Sequence, residues 1–142
     1  MIGLDCNILV QLAIADHPAN AKTVMAVQAE TQRGEKLVFP PLVATEFFHI
    51  VTDDRRFTPP LTLNEAIQWL EDFLANPSVG LIQPTSASLK QTLEWMLQYR
   101  LGRKRILDTH LAAVLYTSGI TRLLTSNPGD FTVFTALQIL TP

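Results

Sequence analysis

The pattern of the sequence predicts an α/β fold, a three-layer sandwich with a central, mainly parallel sheet of four to five short strands and helices on both faces. Three observations predict it. Short apolar runs of strand length alternate along the chain with longer stretches of helical periodicity. Each helical stretch is long enough to serve as the crossover that parallel pairing needs. A chain of 142 residues that is 47% hydrophobic and 17% charged supplies one core, so residues 1–142 are expected to form a single domain.

The elements follow in order. Met1 to Leu4 is an apolar strand ending at Asp5, and Asn7 to Ala15 follows at once with helical spacing. Asp16 and Pro18 are start signals for a second helix running to Gln32, with Gly34 as its stop, and Lys36 to Phe39 is a short strand. Beyond Pro40-Pro41, the apolar positions Leu42, Val43, Phe47, Ile50 and Val51 mark a third helix to Thr52. Asp53 to Thr62, with Pro59-Pro60, reads as a loop. Thr62 and Glu65 have the spacing of a capping box for a helix ending near Asn76-Pro77. Val79 to Ile82 is a strand, Ser86 to Tyr99 an amphipathic helix, and Leu107 to Ser118 a strongly apolar helix closed by Gly119. Arg122 to Thr125 and Leu137 to Leu140 complete the strands. No repeat or low-complexity stretch interrupts the alternation.

Composition narrows the function classes. The single cysteine, Cys6, has no partner within the chain, and no Cys/His cluster has zinc spacing, which excludes a disulfide scaffold and a structural zinc site. No apolar run approaches the ~18 residues of a membrane span and no secretory signal pattern opens the sequence, so a cytoplasmic location is expected. A net charge of −2 argues against nucleic-acid binding by bulk electrostatics. Any such role needs a local site.

Acids interrupt the apolar pattern where ligands of a parallel sheet bind, beyond the carboxyl ends of the strands. Asp5 follows the first strand, where the ordinary alternative is a helix cap. Asp108 takes the first step of a stripe continued by Leu111, Ala112 and Leu115; a first-turn acid is the alternative there. Glu46 lies inside the third helix among Leu42, Val43, Phe47 and Ile50, where neither capping nor the helix dipole accounts for it, although its stem could pack while its head reaches water. His49 lies on the same side and could pair with it. Asp130 ends the Asn-Pro-Gly-Asp stretch after Thr125 and Ser126, which also reads as a turn. Brought to one edge, these four acids would repel one another unless neutralised, and hard ions such as Mg²⁺ or Mn²⁺ take such oxygens.

The ordered set of motifs resembles a PIN-domain ribonuclease, and within that family a VapC-type toxin of a toxin-antitoxin pair. It consists of Asp5-Cys6-Asn7, Glu46 within Ala44-Thr45-Glu46-Phe47-Phe48, Asp108 within Leu107-Asp108-Thr109-His110-Leu111-Ala112-Ala113, and Thr125-Ser126-Asn127-Pro128-Gly129-Asp130-Phe131. The run His49 to Phe57 is similar to a VapC subgroup. Two positions depart from the family pattern: Cys6 replaces a usual Thr or Ser, and Asn127 with Asp130 stands where many relatives carry two acids. The resemblance implies a PIN-like sandwich and metal-dependent hydrolysis of RNA phosphodiesters by Asp5, Glu46, Asp108 and Asp130, with Asn7, Thr125, Ser126 and Asn127 in support. It also implies a small VapB-like antitoxin and a homodimer, while the lack of a spanning apolar run leaves no membrane association expected.

An acidic site needs cations nearby to hold RNA. Arg100, Arg103, Lys104 and Arg105 precede the Asp108 helix, and Arg55 and Arg56 follow the Glu46 helix; a solvated cluster is the alternative for each run. Trp69 and Trp95 fall on apolar stripes and read as core or dimer contacts. Cys6 reads as a small buried residue, and His17, His49 and His110 lack ligand spacing. Two other classes remain open: a phosphatase with Asp5 as nucleophile, which lacks the usual second acid because Asn7 stands there, and a binding module whose acids are caps, which leaves Glu46 unexplained.

Overall fold

The computed structural model describes residues 1–142. Five strands, β1 (Ile2–Leu4), β2 (Leu37–Phe39), β3 (Val79–Leu81), β4 (Arg122–Leu124) and β5 (Gln138–Leu140), form one sheet. Their order is β3-β2-β1-β4-β5 and every pairing is parallel. The helices are α1 (Cys6–Ala13), α2 (Asn20–Gln32), α3 (Pro41–Val51), α4 (Leu63–Ala75), α5 (Ser86–Gln98) and α6 (Ile106–Thr117), with short 3₁₀ turns at Arg103–Arg105 and Pro128–Asp130.

The strand order fixes the layers. From β1 the chain steps outward to β2 and β3, then returns to the other side of β1 for β4. Right-handed crossovers therefore put α1 to α4 on one face and α5 and α6 on the other. The contacts agree: α1 packs on both α2 and α3, α3 packs on α4, and α5 packs on α6. The reversal occurs between β1 and β4, where the connections leave in opposite directions and open a crevice at the carboxyl edge.

Burial holds these layers in register. Ile2, Leu4, Phe39, Phe47, Leu115 and Leu123 are fully buried. Leu115 of α6 lies so close to β1 that a Cβ on Gly3 would come within 2.5 Å of its methyl carbons, which explains a glycine in a central strand. Trp69 packs between Phe47 and Phe73, both with ring centroids at 5.0 Å, and Trp95 stacks on Phe134 at 5.0 Å, so both tryptophans serve the core. Thr92 Oγ1 donates to the Ser88 carbonyl at 2.7 Å and so accepts from His110 Nδ1 at 3.0 Å, tying α5 to α6.

Local chemistry sets the helix starts. The Thr62–Glu65 capping box forms as expected, with Glu65 N–H donating to Thr62 Oγ1 at 3.2 Å and Thr62 N–H to Glu65 Oε2 at 2.7 Å. A second box at Thr85 and Ser88 starts α5. The expected start of α2 at Pro18 is two residues early, since Asp16 does not cap it. His17 Nδ1 instead accepts the Ala19 N–H at 3.1 Å, and Asn20 ties the start back by donating to the Gln11 carbonyl at 2.7 Å.

At the amino edge of the sheet, ion pairs close the structure. Arg122, the first residue of β4, reaches Glu35 at 3.0 Å and Glu30 at 3.2 Å. Arg33 holds Glu30 at 2.8 Å, and the Met1 amino group holds Glu35 at 2.6 Å.

Candidate active site

The carboxyl ends of β1 and β4 present Asp5 and Thr125 side by side, because those strands are paired neighbours in register. Asp5 is both a cap and more than a cap. Its Oδ1 accepts the Cys6 N–H at 2.7 Å, while Oδ2 accepts from Thr125 Oγ1 and Asn7 Nδ2, both at 2.6 Å. Asn7 Nδ2 also reaches Thr125 Oγ1 at 3.1 Å, and its Oδ1 accepts the Ser126 N–H at 3.0 Å. Asn127 donates its N–H to Thr125 Oγ1 at 3.0 Å. The four predicted supporting residues thus form one network around a single carboxylate.

Gln11 belongs to that network and was not anticipated. Buried in α1, it accepts from Ser126 Oγ at 3.0 Å and Thr23 Oγ1 at 2.7 Å. A polar side chain one turn beyond Asn7 on an apolar helix was its signal.

Glu46 comes from α3, Asp108 from the first turn of α6, and Asp130 from the turn after β4. Asp5, Glu46 and Asp108 each feel the charge of other acids in the group. Burial pushes the Asp5 carboxyl above its ordinary range, against its three hydrogen bonds, and the Asp130 charge adds to the rise. Burial also raises Glu46, helped by Asp5 and Asp108 and opposed by Arg56 and His49. Asp108 is pushed up to about 6, first by burial and then by Asp130 and Asp5, with Arg105 pulling the other way. Mutual repulsion of this kind is the mark of carboxylates gathered at one place.

No three acidic, His or Cys side chains close into a finished coordination cage. Arg105 instead lies between two of the acids, with Nε 3.4 Å from Asp108 Oδ2 and Nη1 3.7 Å from Asp130 Oδ1. A third contact runs from Nη2 to the Asp130 carbonyl. The all-oxygen donor set and the guanidinium drawn into it fit a site for a hard cation.

The basic residues expected to meet RNA therefore divide. Arg100, Arg103 and Lys104 are exposed and make no ion pair, whereas Arg105 is turned inward onto the acids. Arg55 is spent on Asp53 at 2.9 Å, and Arg56 lies 3.7 Å from the same carboxylate. The possible Glu46–His49 pair does not form as a hydrogen bond; His49 is exposed and acts on Glu46 through charge alone. Cys6 is buried, and burial beside Glu46 and Asp5 pushes its thiol far up, so it offers no thiolate nucleophile.

A groove leads away from this edge. A cavity of about 310 Å³ begins at Asn7 and Gln11, and His17, Arg56 and Phe57 carry it into a second of about 620 Å³ beside Ile14.

A parallel α/β sheet with acids at its switch point, backed by hydroxyls and amides, is an arrangement whose oxygen donors fit a hard cation. The chain belongs to the PIN domain family, whose model matches residues 2–134. No curated protein sequence matches it significantly. Among solved structures, it is similar to VapBC2 from Rickettsia felis bound to a promoter DNA fragment, with 18% identity over 99% of this chain and 98% of that chain and a TM-score of 0.72. It is also similar to Mycobacterium tuberculosis VapC20, a sarcin-ricin loop cleaving toxin, with 15% identity over 87% of each chain and a TM-score of 0.67. VapBC-1 of nontypeable Haemophilus influenzae matches at 18% identity over 99% of this chain and 98% of that chain, with a TM-score of 0.66. No helix is long and apolar enough to cross a membrane.

Proposed function

We propose that the chain is a divalent-metal-dependent ribonuclease and the toxin of a VapBC-type pair. The observation that carries this reading is the meeting of Asp5, Glu46, Asp108 and Asp130, from four separate segments, at the β1–β4 switch point. Asp5, Glu46 and Asp108 would hold Mg²⁺ or Mn²⁺, with Asp130 completing the set. Bound there, the ion would make water a better nucleophile and offset charge building on the phosphate.

The chain's own residues do the positioning. Thr125 and Asn7 fix the Asp5 carboxylate in one orientation by donating to its Oδ2. Ser126 and Asn127, at the mouth of that network, supply polar groups that can orient water or a phosphate oxygen. Arg100, Arg103 and Lys104 attract the polyanion, and the groove beyond Asn7 gives room for an antitoxin's C-terminal segment. Cytoplasmic location and a homodimer complete the reading.

The deciding experiment is cleavage of RNA in Mg²⁺ or Mn²⁺, with EDTA and the Asp5→Asn, Glu46→Gln and Asp108→Asn proteins as controls. Metal-dependent cleavage lost in each variant supports the assignment, and cleavage that persists in EDTA refutes it. For the toxin role, expression of the chain alone should slow growth while the Asp5→Asn form does not; equal toxicity of the two refutes that role.

A further inference from the structure

Arg105 is a cation at a place where a helix does not favour one. It is the N-cap of α6, and a basic side chain at a helix N-terminus opposes the macrodipole. Its backbone is fixed by Thr109 Oγ1, which is buried and donates to the Arg105 carbonyl at 2.6 Å. Its guanidinium is held by Asp130 and Asp108, but at 3.7 and 3.4 Å these contacts are longer than the ~2.7–2.9 Å of a formed charge-assisted hydrogen bond. Its Nε is buried without a hydrogen-bond partner. Arg122, by contrast, meets its two glutamates at 3.0 and 3.2 Å with hydrogen-bond geometry. Arg122 is hydrogen-bonded to both of its acids, whereas the Arg105 guanidinium is hydrogen-bonded to the Asp130 carbonyl and meets the two carboxylates themselves as a counter-ion.

On the metal-dependent reading of the site, we propose that Arg105 is its resident counter-cation, occupying Asp108 and Asp130 until a divalent ion takes them and giving them up in exchange. It is a positioning residue. It keeps like-charged carboxylates together before the ion arrives, and the same contacts compete with that ion.

The test is calorimetric titration of Mn²⁺, without RNA, into wild type, Arg105→Gln and Arg105→Lys, with Lys22→Gln on the exposed face of α2 as a control for net charge. An opposite charge at this range shifts a carboxylate's proton affinity by one to three units, so Arg105→Gln should bind Mn²⁺ at least about tenfold more tightly. It should also melt lower than wild type in EDTA. Arg105→Lys, lacking the planar fork, should fall between the two, and Lys22→Gln should stay within about twofold of wild type. Affinity in Arg105→Gln that is unchanged or weaker, while wild type binds, overturns the exchange and leaves the nuclease reading standing. If Arg105→Gln does not fold, Arg105→Lys decides on the same criterion. Failure of wild type itself to bind Mn²⁺ overturns the metal reading and the exchange with it.

Discussion

At the amino edge of the sheet, Glu30 and Glu35 share Arg33, Arg122 and the Met1 amino group at distances from 2.6 to 3.2 Å. At the carboxyl edge, Asp108 and Asp130 share Arg105 at 3.4 and 3.7 Å, and Asp5 and Glu46 make no ion pair at all. The same residue type thus serves two ends of one sheet on opposite terms. At the amino edge the charges are neutralised inside the fold and their role ends in stability. At the carboxyl edge the balance is left short of positive charge, which costs stability and is what a cation at the proposed site would offset.

The largest contrast should come from removing one charge at each edge. Asp108→Asn should lower RNA cleavage on the order of 100-fold or more, by taking away a site oxygen, while leaving the fold intact. Glu30→Gln should do the reverse, leaving cleavage near wild type and lowering stability by roughly 1–3 kcal/mol, because Arg122 and Arg33 lose a partly buried partner. Cleavage rates and denaturant midpoints on the two proteins check this, and effects of the same kind at both edges would break the comparison.

A smaller effect separates the edges by pH. Asp5, Glu46 and Asp108 have folded values above their unfolded ones, so folding takes up protons there, and metal-free stability from these groups rises as pH falls. For Asp108 the window lies between about 6 and its ordinary 3.8. Glu35 is held below its ordinary range by its hydrogen bond from the Met1 amino group, with Arg122 helping; its contribution is present above 4.5 and is lost as pH falls further. Melting curves in EDTA should therefore show stability holding or rising from pH 7 to 5 and falling below about 4. Mn²⁺ affinity should weaken as pH falls through about 6, where Asp108 takes up its proton.

The fold class was readable because each strand and helix carries its own period, and an alternation of the two leaves a parallel sheet as the economical solution. Strand order was not readable, because a three-residue strand such as β4 (Arg122–Leu124) says nothing about its neighbours. Among the candidate site residues, the acids showed as breaks in apolar stripes. Arg105 did not, since Arg103-Lys104-Arg105 reads as one basic run and only the 3₁₀ turn sends the third side chain inward. The pairing of Arg122 with Glu30 and Glu35 was hidden for another reason: its partners lie 92 and 87 residues away.

The smallest expected effect concerns the part of that run left in solvent. Replacing Arg103 and Lys104 with Ala should weaken RNA binding modestly and flatten its dependence on log salt by about 0.7 per lost phosphate contact. An unchanged slope would assign these residues to solvent or to a protein partner.

The measurement that bears most directly on the central claim is the melting temperature of wild type and Asp108→Asn, each in EDTA and in saturating Mn²⁺. A ligand at one hundred times its dissociation constant stabilises by about 2.7 kcal/mol, well within what a melting curve resolves. Wild type should melt higher in Mn²⁺, Asp108→Asn should melt no lower than wild type in EDTA, and its rise with Mn²⁺ should be largely lost. An Asp108→Asn protein that keeps the full Mn²⁺ response would show Asp108 to be a first-turn acid of α6 and no part of a cation site.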